Sequence, residues 1–243
     1  MFYRFILIVF LFSSFYSCRS IYSFQKLEYS SVEIDSTLKS NSHIVEIIEP
    51  YKSTLSLTMN EVVCKTGSVL SKSKPESKLG NLVADATFFE SEKYFGIKPD
   101  FAIVNYGGIR IPSLPKGDIS LGKIYELMPF DNYLNLVYIK GNILEEVCDL
   151  IALNGGWPVS GLSFTIKNQK AEAIKIQGKQ LDHNIVYKLA ISDYLANGGD
   201  NMSMLKTLKR EKSNLLLRDA FIQHFKAKTS FIDAEIENRI IVE

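Results

Sequence analysis

The sequence predicts an α/β fold, a single layered domain in which a mixed β-sheet is flanked by helices. Apolar or alternating runs of strand length recur at Phe101–Val104, Tyr133–Lys140, Leu162–Ile166, Ala171–Gln177 and Ile185–Ser192. Apolar residues at helical spacing recur between and around them, after Ser77 and after Gly141. The two patterns interleave along the chain, which argues against a helical bundle and against an all-β sandwich. With 46% hydrophobic and 23% charged residues over 243 positions, the chain has enough apolar material for a sizeable core.

The elements follow in order. Arg4 precedes the apolar run Phe5–Phe12, and small polar residues lead to Ser17-Cys18, so residues 1–17 read as an export signal of the lipoprotein type. The run is far shorter than the roughly 20 residues a spanning helix needs. Cys18 is then the expected lipidation site, with plain secretion and an incidental cysteine as the alternative. Residues 18–42 are polar and Ser-rich and read as a tether, leaving 43–243 as the folded domain. Ile44, Ile47, Ile48 and Tyr51 give His43–Met59 a helical stripe, although Pro50 ordinarily marks a break. Val62–Thr66 is strand-like. Ser77 is placed to cap a helix carrying Leu79, Leu82, Val83 and Ala86 on one face. Gly141-Asn142 opens a helix striped by Ile143, Leu144, Val147, Leu150 and Ile151. Lys167–Lys170 joins two strands as a hairpin. A last amphipathic helix is predicted over Ser213–Lys226, with Leu217, Phe221 and Phe225 inward, before a closing strand at Arg239–Val242.

Charge and rare residues narrow the function. Twenty-eight basic against 27 acidic side chains give a net charge of +1, so no overall field recruits nucleic acid or an acidic membrane surface. Cys64 and Cys148 lie in apolar segments and suit small core residues better than metal ligands, with one disulfide as the other reading. His43, His183 and His224 are far apart, and no Asp-x-His, Gly-Asn-His-Asp or His-x-His grouping exists. The sequence therefore offers no metal ligand set and no nucleophile–base pair for independent hydrolysis.

Two glycine turns stand where strands end. In Asn105-Tyr-Gly-Gly-Ile-Arg110, Gly107 and Gly108 allow positive φ and a close approach of a ligand, Arg110 offers a fork of donors to a phosphate or carboxylate, and Asn105 offers a donor and an acceptor. Taken alone, a surface turn with a solvated arginine is the commoner reading of these residues. In Asn197-Gly-Gly-Asp200, the carboxylate suits vicinal hydroxyls, as acidic groups do for ribose, or else caps the turn at Met202–Leu205. Phe130 and Tyr194 stand beside turns. Such rings are ordinary core residues, or two faces that sandwich a planar base at about 1–3 kcal/mol each.

Taken together and in order, Lys78-Leu-Gly-Asn-Leu-Val-Ala-Asp85, Asn105–Arg110, Gly117-Asp-Ile119, Met128-Pro-Phe-Asp131 and Asp193-Tyr-Leu-Ala-Asn-Gly-Gly-Asp200 resemble the C-terminal, substrate-binding domain of 5'-nucleotidases over about residues 60–243. The resemblance implies that Phe130 and Tyr194 stack on the nucleobase, Asp200 binds the ribose hydroxyls, Arg110 contacts phosphate and Asn105 helps hold the nucleoside. Gly107, Gly108, Asn197 and Gly199 complete the implied substrate-binding set. Two positions depart from the family pattern. Tyr106 stands where a glycine is common, and the loop before Leu79 offers Lys72, Lys74, Pro75 and Lys78 where relatives can carry a further phosphate-binding arginine. Trp157 lines a loop near the pocket or simply packs it.

Family hydrolysis resembles two-metal phosphoester chemistry. The expectation is thus a recognition domain in nucleotide catabolism without the N-terminal metallophosphatase domain, exported to the periplasm or cell envelope and anchored by lipid at Cys18. It is expected to bind a nucleoside 5'-phosphate or nucleoside, to hold no cofactor of its own, and to present the phosphate to a separately encoded exported metallophosphatase carrying Mn, Zn, Mg, Ca or Co. A stand-alone nucleoside- or nucleotide-binding lipoprotein, or a degenerate protein-interaction module, are the alternatives.

Overall fold

The structure is a computed structural model that describes residues 28–35 and 37–243. The export signal, Cys18 and the first part of the tether lie outside the described residues. The chain divides into two units, 1–47 and 48–243. Described residues of the first unit are exposed. Helix α1, Ser42–Met59, continues through Pro50, whose carbonyl accepts from the Ser53 and Thr54 hydroxyls at 3.1 Å each. None of its residues is buried, and Pro50, having no N–H, leaves the helix one backbone hydrogen bond short at that turn.

In the second unit the strands are β1 (Val62–Thr66), β2 (Leu70–Ser71), β3 (Phe101–Ile103), β4 (Ser113–Leu114), β5 (Gly117–Ser120), β6 (Tyr133–Lys140), β7 (Val159–Ser160), β8 (Leu162–Lys167), β9 (Lys170–Ile176), β10 (Lys179–Gln180), β11 (Val186–Ser192), β12 (Arg210–Leu216) and β13 (Ile240–Val242). The helices are α2 (Lys78–Phe95), α3 (Leu121–Leu127), α4 (Gly141–Leu153), α5 (Asp193–Ala196) and α6 (Leu217–Lys226). The main sheet has the order β12-β6-β11-β3-β7, with β11 and β3 parallel and the other pairs antiparallel. A second sheet runs β10-β9-β8-β13, and the small pairs β1-β5 and β2-β4 stand beside them.

Both faces of the main sheet are covered. On one, Phe101, Ile103, Val137, Ile139, Leu189 and Ile191 meet Leu144, Val147 and Ile151 of α4, which also packs on β8 and β9 of the second sheet. On the other, Ala102 and Ala190 admit Phe88 of α2. The small side chains on that face let the helix come close. A second core joins Leu79, Leu82, Val83 and Ala86 of α2 to Leu217, Phe221 and Phe225 of α6 and to Ile119, Ile124 and Leu127. Ser77 caps α2 through its hydroxyl, which accepts from the Gly80 N–H at 3.0 Å, and Gly96 ends it in the left-handed region at φ 64°.

The predicted helix over Ser213–Lys226 begins only at Leu217. Residues 210–216 form an edge strand on β6 with an irregularity between Lys212 and Leu216, where the Ser213 hydroxyl bonds the backbone of Leu215. Local side-chain bonding of this kind competes with helix at its first turn. Leu217, Phe221 and Phe225 do point inward as the spacing requires. Cys64 and Cys148 are buried and unpaired, so the core reading of both holds.

Sheet topology sets where a site forms. Because β3 and β11 are parallel, the loops after Ile103 and after Ser192 leave the sheet at one end, the usual position of a ligand crevice in such sheets. β6 runs antiparallel to β11 with Leu134 opposite Ser192, so the segment entering β6 arrives at that same end. Residues 105–110, 128–132 and 193–200 are thereby brought together.

Candidate functional site

These three segments enclose a cavity of about 270 Å³ lined by Asn105, Gly107, Gly108, Arg110, Phe130, Asn132, Tyr194 and Asp200. Seven of the nine residues singled out in the sequence line it. Asn197 does not: its Oδ1 accepts from Arg210 Nη1 at 2.9 Å. Gly199 lies beneath the Tyr194 ring, where a Cβ would stand 2.4 Å from the ring's Cζ. Its role is to admit the ring. Trp157 is 5% exposed and belongs to the main core, so it packs the loop and does not line the cavity.

Asp200 is the centre of the polar part. One carboxylate oxygen accepts from Asn105 Nδ2 at 2.6 Å and the other from the Tyr194 hydroxyl at 2.8 Å. The aspartate sits in the left-handed region at φ 49°, ψ 39°, within the short 3₁₀ turn Gly199–Asn201 that follows Gly198 at φ 89°. Asp200 therefore serves the cavity, not a helix cap. The hydrogen bond to the carboxylate raises the Tyr194 phenol above its ordinary pKa and keeps it a donor.

The 105–110 turn differs from the expectation at its glycines. Tyr106–Gly108 forms a single 3₁₀ turn, and neither Gly107 nor Gly108 adopts positive φ. Space is what Gly108 supplies, since a Cβ there would lie 2.7 Å from Asn105 Oδ1. Arg110 is exposed, its backbone N–H held by the Leu127 carbonyl at 2.9 Å and its Nη1 donating to the Gly107 carbonyl at 3.3 Å. Its guanidinium lies 5.7 Å from the centroid of the Phe130 ring. Phe130 and Tyr194 are 41% and 42% exposed, so large ring faces remain open beside the polar groups.

Sequence reasoning passed over the groups that hold this arrangement. Asn132 lines the cavity, and its carbonyl accepts from the Leu217 N–H at 2.8 Å. Asp193 accepts from the Tyr133 N–H at 3.0 Å, tying the turn that carries Tyr194 to the one that carries Phe130. Arg218, buried at the start of α6, donates to Asp131 at 2.8 Å and stacks over the Tyr125 ring at 4.3 Å. Asp193 and Asp131 stand inside the motifs quoted above, but Arg218 lies far along the chain and gave no local signal.

Of the histidines, His43 is exposed, His183 is exposed with Glu145 at 3.8 Å, and His224 is buried against Glu90 at 3.2 Å. Among the described residues no three His, Cys, Asp or Glu side chains converge in a way that could hold a metal ion. These residues do not fit a two-metal centre.

Comparison with known proteins agrees with the fold. Residues 56–207 match the family described as 5'-nucleotidase, C-terminal domain. The chain belongs to that family. A trifunctional nucleotide phosphoesterase of Bacillus subtilis is 26% identical over 237 residues, covering 88% of this chain and 16% of its own length. A cell wall protein of Listeria monocytogenes is 29% identical over 233 residues, covering 82% of this chain and 29% of its own. Among solved structures, a 5'-nucleotidase precursor from Thermus thermophilus superposes with a TM-score of 0.71 and 26% identity over 83% of this chain and 43% of that one. This member of the 5'-nucleotidase C-terminal family thus spans less than half the length of each of these relatives.

Proposed function

We propose that this domain recognises a nucleoside 5'-phosphate and presents its phosphate to a separately encoded, exported metallophosphatase in nucleotide catabolism. The observation that carries the reading is the convergence, around one cavity, of two open ring faces, a carboxylate and a guanidinium. In this reading the base lies against Phe130 and Tyr194, the ribose hydroxyls bond Asp200 with Asn105 beside it, and Arg110 takes the phosphate. Gly107 and Gly108 leave room at the cavity wall. The described residues supply binding and orientation. Paired divalent ions on the partner, of the Mn, Zn, Mg, Ca or Co type, supply the activated water and the charge stabilisation of phosphoryl transfer.

Export and a lipid anchor at Cys18 belong to the same proposal, supported by Arg4, the apolar run after it and Ser17-Cys18. Among the described residues no helix is long and apolar enough to cross a membrane. Calorimetric titration of the purified chain with adenosine, AMP and UDP-glucose, beside phosphate release with Mn²⁺ present, tests the reading. Saturable binding without hydrolysis is expected. Hydrolysis by the pure chain overturns the need for a partner, and absence of binding overturns nucleotide recognition.

A further inference from the structure

Arg218 stands where its own helix does not favour it. It lies in the first turn of α6, whose N-cap residue Leu216 contributes no side-chain bond, and the partial positive charge of a helix start disfavours a cation. The residue is 7% exposed. Among the described residues its guanidinium makes one hydrogen bond, from Nη2 to Asp131 at 2.8 Å, and the buried Nε has no partner. Burying a guanidinium so sparsely bonded costs folding free energy, and an apolar side chain of similar volume is often neutral or stabilising at such a place. Stability alone gives no reason for an arginine here.

Its contacts give one. The guanidinium lies 4.3 Å from the centroid of the Tyr125 ring, inside the range of a cation–π contact, and Tyr125 belongs to α3, which leads into Met128-Pro129-Phe130. Asp131 follows Phe130 directly. One side chain thus grips the chain on both sides of Phe130. Phe130 itself is exposed and belongs to none of the buried clusters, so the backbone flanking it places its ring. The next two residues are also held, Asn132 by the Leu217 N–H at its carbonyl and Tyr133 by Asp193 at its N–H. Those bonds fix the entry to β6. Asp131 lies before them, on the surface, and its carboxylate pairs with Arg218.

We infer that Arg218 is a positioning residue that, through Asp131 and Tyr125, holds the Phe130 ring at the spacing from Tyr194 that a flat ligand needs. The inference rests on the nucleotide reading above and adds to it a residue that does not line the cavity and acts through the ring alone. A ring face held in place before the ligand arrives has less freedom to lose on stacking, so the cation's unfavourable place in α6 is offset by tighter binding.

The experiment is calorimetric titration of the full chain with AMP, beside thermal melting, for the wild type, Asp131→Ala, Arg218→Met, Phe130→Ala and the double variant Phe130→Ala/Asp131→Ala. Asp131→Ala removes the pair at an exposed loop position and Arg218→Met removes it at the buried one. Each is expected to weaken AMP binding about threefold to tenfold, part of what one stacked ring contributes, with the melting temperature little changed. In the Phe130→Ala background the same Asp131→Ala change is expected to do nothing further, because the ring through which it acts is gone. A merely structural role weakens binding in either background. Should Arg218→Met fail to fold, the surface variant decides alone. An unchanged affinity in Asp131→Ala, or a loss that persists without the Phe130 ring, overturns the inference and leaves nucleotide recognition standing. An affinity that Phe130→Ala does not alter overturns stacking on this ring and the inference together, and absence of AMP binding by the wild type overturns the whole nucleotide reading.

Discussion

At the scale of single residues the cavity depends on groups whose backbone is as constrained as their chemistry. Asp200 occupies the left-handed region, which Asn tolerates and Ala does not, so Asp200→Asn removes the charge without removing the turn. That variant is expected to weaken adenosine binding by about 1.5–3 kcal/mol, the worth of hydrogen bonds to a charged group, with little change in melting temperature. Phe130→Ala is expected to cost about 1–3 kcal/mol of the same affinity, and because Phe130 is substantially exposed its loss leaves stability nearly unchanged. Calorimetry beside thermal melting checks both. The thiols make a separate case. Burial pushes Cys64 up to about 11 and Cys148 higher still, so neither is a thiolate at pH 8. Iodoacetamide is expected to label neither in the native protein and both after unfolding; rapid native labelling, read by mass spectrometry, sinks the reading of both as core residues.

At the scale of elements, α6 is where site and core share parts. Its first residues, Leu217 and Arg218, hold the carbonyl of Asn132 and the carboxylate of Asp131, while Phe221 and Phe225 fill the core against α2. Arg218 stands in the first turn of a helix, where the dipole disfavours a cation, and its Nε has no partner. Its ion pair with the loop that carries Phe130 offsets that position. Phe221 is fully buried, so Phe221→Ala is expected to destabilise the domain by about 3–5 kcal/mol in chemical denaturation. A loss below about 1 kcal/mol shows instead that α6 is not anchored through this ring.

At the scale of the whole molecule, α2 and α6 are also joined by the buried contact between Glu90 and His224, with Lys93 paired to Glu90, Phe89 stacked on the imidazole, and Lys228 and Asp85 acting on it from nearby. Burial lowers the His224 pKa, and the approach of Lys228 adds to this, against the opposing pull of Glu90 and Asp85. A histidine whose folded pKa is depressed contributes stability that is fully present above the ordinary value near 6.5. That contribution is lost as pH falls from there through the lower folded pKa, because the unfolded chain takes up the proton first. The melting temperature is therefore expected to decline below about pH 6.5, and His224→Gln to flatten that decline. An identical slope in the variant rules the histidine out as its source.

Much of this was written in local pattern. The stripes of α2, α4 and α6, the alternation of β6 and the cap at Ser77 follow from periodicity and hydrogen-bonding chemistry that a short segment carries by itself. The resemblance carried by the glycine turns, Phe130 and Tyr194 in their order pointed to seven of the eight cavity residues. Other features depend on neighbours remote in sequence. The start of α6 lies at Leu217 because β6 offers a partner to residues 210–216, and short strands such as β5 exist only through their pairing with β1. Asn197 turns to Arg210, and Gly199 serves the Tyr194 ring, because the turn at 198–201 is shaped by what packs on it. Lys72, Lys74 and Tyr106 read as separate departures along the chain, yet the two ammoniums stand 3.8 and 4.8 Å from the centroid of the Tyr106 ring. Whether two ammoniums find one ring is a matter of distance, and distance between segments more than thirty residues apart is set by the fold alone.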